Sequence, residues 1–413
     1  MKFTIKLDEK ECDHIWARPA YQTATNKSNI RTTMTPRETV LAAMHMKQAD
    51  RVPVMCQFSI GFMHQQLKET DITPMELWYD ADRYAEALLW LRNRFDFDGI
   101  LVSLHGHYPD WREKILKLQS DGGVETVTFE DRVERFVEDD LLVGTFFEPR
   151  EKPLEDVDPD NIPEVLDYIP ASKGCYIFID RRDPYRIFDI LEEHTGGMYS
   201  LHGEVTSPLD YLLDLLGYEN GLLAMITEPE KVGRIMEKFT AGVVRMTREM
   251  AAHKSVDAIK VSSPFAGMGF ISPEFYRQFE LPYLTRVADA IRESGKTGYV
   301  HTCGHIHDRL EIMAESGIPG LECLDPPPIG NVELDDAFRR IGDKMFIKGN
   351  IDSVNTLLEG TDESIRADVG EIMRIGMANK GFILSTACSI SPRVPKENIQ
   401  LLARIAEESG YYR

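Results

Sequence analysis

The sequence contains no apolar run of about 18 residues, so no membrane-spanning helix is predicted. Its first ten residues lack the apolar stretch of an export signal, so we expect a cytoplasmic protein. Positive charge is scarce, with 47 Lys and Arg against 68 Asp and Glu and a formal net charge of −21. This acidic balance disfavours nucleic acids and anionic membranes as partners.

Cysteine is also scarce, and the six cysteines lie far apart at Cys12, Cys56, Cys175, Cys303, Cys323 and Cys388. Wide spacing in a chain of 413 residues is not the pattern of a disulfide framework. A chain of this length buries a large core without such cross-links. The cysteines are therefore interpreted as free thiols or metal ligands.

Short apolar runs alternate with helical segments after a polar N-terminal arm at residues 1–35. Eight strands are predicted, at 52–58, 97–104, 198–205, 258–262, 297–301, 320–324, 345–349 and 382–386. Alternating strands and helices indicate right-handed βαβ units and a parallel sheet. The prediction is an α/β protein in which residues 36–413 form a single (β/α)₈ TIM barrel. An open doubly wound sheet is the alternative.

One region departs from this alternation. Residues 113–150 show a period-2 apolar pattern with the pair Gly122 and Gly123 between two runs, which predicts a small antiparallel β insertion. Residues 151–171 are rich in Asp, Glu and Pro, and we expect a solvated connector there.

The candidate chemistry lies at strand ends, because barrel enzymes place their active sites at the C-terminal ends of the strands. His301 and Cys303 are two residues apart and would point the same way from an extended segment. Cys388 follows the last predicted strand. One His and two Cys would make a zinc site with an open fourth position, the pattern of catalytic zinc. The alternative is that both cysteines are small buried core residues.

Several stretches together carry a family resemblance. They are residues 35–40 (Thr-Pro-Arg-Glu-Thr-Val), 51–54 (Arg-Val-Pro-Val), 271–276 (Ile-Ser-Pro-Glu-Phe-Tyr), 281–283 (Leu-Pro-Tyr), 301–304 (His-Thr-Cys-Gly), 349–352 (Gly-Asn-Ile-Asp), and Cys388 followed by 395–398 (Pro-Lys-Glu-Asn). In this order the sequence resembles the uroporphyrinogen decarboxylase superfamily, and within it the zinc-dependent corrinoid methyltransferases. The resemblance implies a (β/α)₈ barrel.

The branch within the superfamily depends on arginine. The true decarboxylases carry an Arg-Gln-Ala-Gly-Arg signature after the first strand, whereas residues 55–62 here contain no arginine. A tetrapyrrole with many carboxylates needs bidentate arginine partners. A porphyrinogen decarboxylase is therefore the alternative to the methyltransferase, and a non-enzymatic binding or assembly subunit is a third hypothesis.

The methyltransferase resemblance implies a catalytic zinc held by His301, Cys303 and Cys388. Zinc would activate the heteroatom that carries or receives the methyl group, and a corrinoid (cobalamin) would carry the methyl group. No cobalamin-binding Asp-x-His-x-x-Gly pattern occurs in the chain, so the corrinoid is expected on a partner protein. A methyl donor such as a methoxylated aromatic is favoured, which makes O-demethylation the expected reaction. A homodimer is a further expected assembly.

Six further residues are candidates for substrate binding. Glu204 follows the third predicted strand and is a candidate fourth zinc ligand or hydrogen-bond partner of the substrate. Asn350 ends the seventh strand and could donate to the substrate. An apolar wall for a ring is proposed from Phe58, Phe62, Tyr211 and Phe265, although such residues are more often plain core. Cys323 is interpreted as a core residue.

Overall fold

The structure, a computed structural model, describes residues 33–137 and 139–412. Most of the predicted N-terminal arm, residues 1–32, lies outside the described residues. The strands are β1 (Gly99–Val102), β2 (Lys117–Asp121), β3 (Val124–Thr128), β4 (Arg132–Phe136), β5 (Val143–Phe146), β6 (Tyr168–Ser172), β7 (Cys175–Phe178), β8 (Ser200–Thr206), β9 (Val256–Ser262), β10 (Thr297–Thr302), β11 (Gly320–Cys323), β12 (Phe346–Ile351) and β13 (Phe382–Thr386).

The α-helices surround these strands. They are α1 (Pro36–Met44), α2 (Ile60–Leu67), α3 (Pro74–Tyr79), α4 (Ala81–Phe95), α5 (Arg186–Thr195), α6 (Pro208–Leu216), α7 (Tyr218–Thr227), α8 (Pro229–Ala251), α9 (Pro273–Phe279), α10 (Leu281–Glu293), α11 (Leu310–Glu315), α12 (Leu334–Ile341), α13 (Asp362–Met377) and α14 (Lys396–Ser409). No helix of the described chain combines the length and the apolar character needed to cross a bilayer.

A curved parallel sheet forms the centre, with seven strands in the order β1-β8-β9-β10-β11-β12-β13. Every residue of β10, β12 and β13 is buried, as expected for parallel strands with both faces covered. The predicted (β/α)₈ barrel is confirmed by this architecture, and seven of the eight predicted strands occur as regular strands.

The remaining predicted strand, residues 52–58, lies between the two edges of the sheet and is hydrogen-bonded to both, with isolated bridges on the β13 side. Leu384 of β13 donates its N–H to the carbonyl of Pro53 and accepts from Met55 N, each at 2.9 Å. On the other side Asp98, next to β1, donates to the carbonyl of Val54 at 2.9 Å. Pro53 has no N–H to give, which limits the ladder that this segment can form.

One helical segment is broken, and one predicted connector is partly ordered. Residues 273–293 are divided at Glu280 into α9 and α10, because proline is tolerated only in the first turn of a helix and Pro282 lies in the first turn of α10. The connector expected over 151–171 contains β6, which pairs with β7 in an antiparallel hairpin. Most of residues 151–167 are exposed, as expected of a solvated connector, whereas Ile169 and Pro170 of β6 are buried.

The antiparallel insertion is present as predicted. Strands β2, β3, β4 and β5 form a four-stranded sheet in chain order within residues 117–146. The turn between β2 and β3 contains Gly122 and Gly123, both with positive φ, a conformation that glycine adopts without steric cost.

A buried ion pair holds the joining segment in place. Arg51 contacts both carboxylate oxygens of Asp98, with Nη1 at 2.7 Å from Oδ2, and Val54 N donates to the same oxygen at 2.7 Å. Asp98 is 1% exposed. This carboxylate therefore fixes the segment that closes the barrel.

We expect Asp98→Ala to lower the free energy of unfolding by about 3 kcal/mol or more, because removing one partner strands the buried charge of the other. Urea unfolding followed by circular dichroism measures this loss. The control is Glu293→Ala, which removes the exposed partner of Arg248 and should cost less than about 1 kcal/mol. Equal losses of unfolding free energy in the two variants would show that the buried Arg51–Asp98 ion pair stabilises the fold no more than an exposed pair does.

Candidate metal centre

Four metal-binding side chains meet at the C-terminal end of the central sheet. His301 lies near the end of β10 and Cys303 just beyond it, Cys323 ends β11, and Cys388 follows β13. One candidate ligand atom from each residue lies within 4.8 Å of those of the other three. The three predicted ligands His301, Cys303 and Cys388 are thus brought together from distant parts of the chain.

The spacing of these atoms suits a single ion. His301 Nε2 lies 3.3 Å from Cys303 Sγ, and the sulfurs of Cys303 and Cys388 are 3.6 Å apart. Two thiolates bound to one tetrahedral zinc at about 2.3 Å would be roughly 3.8 Å apart. Soft sulfur ligands with one imidazole select zinc over magnesium or calcium. The residues present therefore fit zinc.

Cys388 and Cys323 differ in the pKa of their thiols. Hydrogen bonds from the Cys303 and Cys323 thiols, and from His301, lower the pKa of Cys388 well below the usual value of a thiol. Burial raises the pKa of Cys323 well above that value, and its thiol donates to Asp325 Oδ2 at 3.2 Å. Cys323 was expected to be a core residue, and it is fully buried, but its sulfur lies in the cluster.

A buried carboxylate orients the histidine. His301 Nδ1 lies 2.9 Å from Glu322 Oε2, which leaves Nε2 directed at the cysteine sulfurs. An imidazole whose second nitrogen donates to a carboxylate is fixed in the tautomer that binds metal. This contact makes Glu322 the partner that positions His301.

Two buried lysines flank that carboxylate. Lys348 contacts Glu322 Oε1, and Lys260 Nζ lies 3.5 Å from Glu322 Oε2 and 3.2 Å from Glu204 Oε1. Both lysine side chains are 0% exposed. Burial alone would raise the pKa of Glu322, but Lys348, Lys260 and His301 outweigh burial and hold it well below its usual range.

The four charges therefore form an alternating row. Glu204, Lys260, Glu322 and Lys348 follow one another with opposite signs, and we call them the charged row. Burial would lower the pKa of Lys260, but Glu204 and Glu322 outweigh burial and raise it, so this lysine is charged. Full pairing is what makes charges tolerable in a barrel interior.

A cavity of about 360 Å³ opens beside the cysteines and is lined by His301, Cys303 and Cys388. The insertion reaches it through the loop before β5, and the separate β6–β7 hairpin also contributes lining residues. Its wall includes four acidic residues, Asp139, Asp140, Glu204 and Asp210. None of the described residues that line this cavity is lysine or arginine.

Two of the predicted substrate-binding residues, Glu204 and Phe58, line this cavity. Glu204 accepts a hydrogen bond from Ser103 Oγ at 2.6 Å, and Phe58 stacks on Phe62 with ring centroids 5.5 Å apart. Glu204 thus faces both the cavity and the buried Lys260. Trp78, which the sequence analysis did not select, adds a second aromatic ring to the wall.

The other four candidates lie outside the cavity lining. Phe62 is fully buried behind Phe58, and Tyr211 is fully buried with its hydroxyl donating to the carbonyl of Tyr168 at 2.9 Å. Asn350 is 3% exposed and donates to the carbonyl of Leu324 at 3.1 Å. Phe265 packs against other rings, with its centroid 4.7 Å from that of Tyr218. The surroundings of Phe62, Tyr211 and Phe265 are therefore those of packed core residues, which was the alternative interpretation of the aromatic set.

Lys260, Lys348 and Asp210 were not predicted from the sequence as site residues. The two lysines could have been recognised, because each lies within a short strand whose neighbouring residues are buried on both faces. Lysine is almost never fully buried without a partner. Such a lysine therefore predicts a buried carboxylate nearby, although it does not say which one.

The chain is similar to several known proteins. Residues 184–409 match the uroporphyrinogen decarboxylase (URO-D) family. The methylcobamide:CoM methyltransferase MtaA of Methanosarcina barkeri is 26% identical over 223 residues, which are 54% of this chain and 62% of the relative. A methylated-thiol–coenzyme M methyltransferase of Methanosarcina mazei is 28% identical over 54% of this chain and 56% of its own. These matches span less than two thirds of either relative.

Two further matches cover more of the chain. A uroporphyrinogen decarboxylase of Carboxydothermus hydrogenoformans is 24% identical over 83% of this chain and 93% of its own. The solved structure of a methyltransferase from Methanosarcina mazei superposes with a TM-score of 0.69 at 19% identity, covering 91% of this chain and 99% of that one. The last match supports the barrel fold.

The charged row makes a prediction about stability. Glu322→Ala should cost about 3–5 kcal/mol, because it leaves two buried lysines and His301 without their shared carboxylate. Glu204→Ala should cost roughly 1–2 kcal/mol, since Lys260 keeps Glu322 and the site borders the cavity. Urea unfolding of both metal-free variants compares the losses. A Glu204→Ala loss as large as that of Glu322→Ala would refute the central place of Glu322.

Proposed function

This chain belongs to the uroporphyrinogen decarboxylase family, and we propose that it is a zinc-dependent methyltransferase that serves a corrinoid carried by a partner protein. The convergence of His301, Cys303 and Cys388 carries the proposal. Cys323, the fourth side chain of the cluster, is outside the cavity lining, and its thiol donates to Asp325, so we assign it no ligand role. The remaining three ligands border an open cavity and match a catalytic zinc, whereas a structural zinc site is closed by four. The relatives named for methylcobamide and coenzyme M support the corrinoid part of the proposal.

Decarboxylation of a porphyrinogen is disfavoured by the cavity wall. Carboxylate-rich substrates need arginine or lysine partners, and the described residues that line the cavity provide neither. Four acidic residues stand there instead. The chain therefore shares the barrel fold of the family, but the residues of its site favour methyl transfer over decarboxylation. An assembly subunit would need no such buried donor set.

The chain's own residues have separable tasks in this reaction. When bound, zinc would supply a Lewis acid for the heteroatom that carries or receives the methyl group. Cys303 and Cys388 would hold the ion, and His301 would complete the set with Nε2 fixed by Glu322. The cavity wall would exclude bulk water and position the small substrate.

For the substrate we propose a neutral methyl donor, with a methoxylated aromatic favoured. Coenzyme M carries a sulfonate, and the described lining residues include Asp139, Asp140 and Glu204 but no lysine or arginine that would bind it. Phe58 and Trp78 provide apolar surface suited to a ring. Coenzyme M methylation remains the alternative that the assays below include, because two relatives are named for it.

The metal hypothesis is tested on purified chain and one variant. We expect close to one zinc per wild-type chain, and Cys388→Ala should stay folded yet hold zinc weakly and lose roughly 10³-fold or more in methyl transfer. Elemental analysis, circular dichroism and methylcobalamin formation are the measurements. Cobalamin reduced to Co(I) serves as acceptor and a methoxybenzene as donor.

Arg393→Ala is the matched control on the same loop, because Arg393 has a side chain that is 82% exposed and lies 4.0 Å from Asp139. It should keep its zinc and nearly all of its activity. Near-native activity in Cys388→Ala would remove zinc chemistry from the proposal. Unfolding of that variant would instead assign Cys388 a structural role.

The partner hypothesis has its own test. Purified chain should show no visible absorption of bound cobalamin, and methyl transfer should require added cobalamin or a corrinoid protein, because the chain lacks a corrinoid-binding pattern. Assays with methoxybenzenes and with methylcobalamin plus coenzyme M separate the two directions. Cobalamin that copurifies in stoichiometric amounts would contradict the need for a partner.

A further inference from the structure

A buried acid pair lies beneath the cavity wall on the side of helix α6. Asp210, in the first turn of α6, lines the cavity and is only 4% exposed. Its Oδ2 is buried and has no hydrogen-bond partner. An ionised carboxylate would be costly in this position, because a buried charge requires donors or a counter-ion.

The second member of the pair is Glu280, at the break between α9 and α10. Glu280 is fully buried, and each of its carboxylate oxygens accepts a hydroxyl hydrogen bond of 2.8 Å, one from Ser207 and one from Ser263. Hydroxyl donors stabilise the charged form of a carboxyl group. The donors are thus distributed unequally, since Glu280 has two and Asp210 Oδ2 has none.

This unequal distribution of donors favours the charged form of Glu280 over that of Asp210. Burial raises the pKa of Glu280 to about 7. Burial, and then the charge of Glu280, raise the pKa of Asp210 well above its ordinary value. Tyr218 on α7 and Tyr211 on α6 also interact electrostatically with Asp210 and are neutral acids of high pKa themselves. When the pair carries one negative charge, the charge lies on Glu280 and the proton on Asp210.

We propose that Asp210 is the proton donor to the oxygen from which the methyl group departs. The inference rests on the proposed function and deepens it, because it names the residue that protonates the leaving oxygen of a methyl ether substrate. Asp210 and the predicted zinc ligands line the same cavity, so one small substrate can contact both. A neutral carboxylic acid kept in an apolar site is a known way to donate a hydrogen bond at neutral pH.

Protonation of the leaving oxygen accompanies the methyl transfer. The bond between the methyl carbon and the oxygen breaks, and the electron pair of a Co(I) corrinoid forms the new bond to that carbon. The departing oxygen keeps the electron pair of the broken bond and takes the proton of Asp210, which becomes a carboxylate. Water returns a proton to Asp210 before the next turnover, so the net products are an alcohol or phenol and the methylated corrinoid.

The protonation state can be measured without activity. At about pH 8, where Glu280 is mostly ionised, the infrared spectrum should contain a protonated carboxylic acid band that Asp210→Asn removes. Carbon-13 labelled aspartate should shift the same band in the wild-type chain, which separates it from Glu280 without any variant. If Asp210→Asn removes no such band, Asp210 is ionised and the proposal is overturned.

The donor role is measured with a series of methoxybenzenes. Asp210→Asn should lose roughly 10²-fold or more on donors whose leaving phenol is weakly acidic, as expected for general acid catalysis. Its loss should shrink to less than about 10-fold on nitro-substituted donors, whose phenolate departs without a proton. Asp214→Asn removes the other aspartate of the same helix, which accepts from Tyr176 at 2.7 Å outside the cavity lining, and should show no such dependence.

The possible failures are distinguishable. An equal loss of Asp210→Asn on every donor would overturn the proton-donor role and leave the methyltransferase intact. A wild-type chain that methylates only coenzyme M from methylcobalamin would overturn both the methyl ether and the donor role. A chain with no methyl transfer and no zinc would refute the proposed function itself, whatever the infrared band shows.

Discussion

The site depends on one carboxylate, that of Glu322 in the interior of the barrel. Its oxygens meet Lys260, Lys348 and His301, so the same group neutralises two buried lysines and orients the histidine. Without Glu322 the two positive charges would face each other in a medium that screens them poorly. The position of the candidate metal ligand is in this way tied to the stability of the barrel, which fixes the imidazole firmly.

The barrel and the cavity make different demands on the same strands. Packing between strands and helices requires apolar residues on both faces of β9, β10 and β12, yet these strands also bury Lys260, His301 and Lys348. The three groups, Lys260, His301 and Lys348, are compatible with the core because they share partners. The acid pair at Asp210 and Glu280 follows a different rule, in which hydroxyl donors and a retained proton replace a counter-ion.

Much of the fold was predictable from the sequence, because strand and helix periods are local properties. The His301 and Cys303 pair was also predictable, since two residues in an extended segment point the same way. The charged row was not, because its pairings join β8, β9, β11 and β12 across the sheet and depend on register. Local patterns likewise cannot distinguish Phe58, on the cavity wall, from Phe62, one helical turn further on and packed behind it.

The alternation of signs along the charged row also bears on the encounter with a partner. Two positive and two negative groups set in sequence have no net charge, so their combined potential decays much faster with distance than that of a lone ion. Under the proposed function, a corrinoid protein approaching through solvent would feel little of this row, and any attraction would come from the outer surface of a chain with a net charge of −21. Substitutions of surface charges would therefore change long-range attraction to a partner while leaving the electrostatics around His301 nearly unchanged.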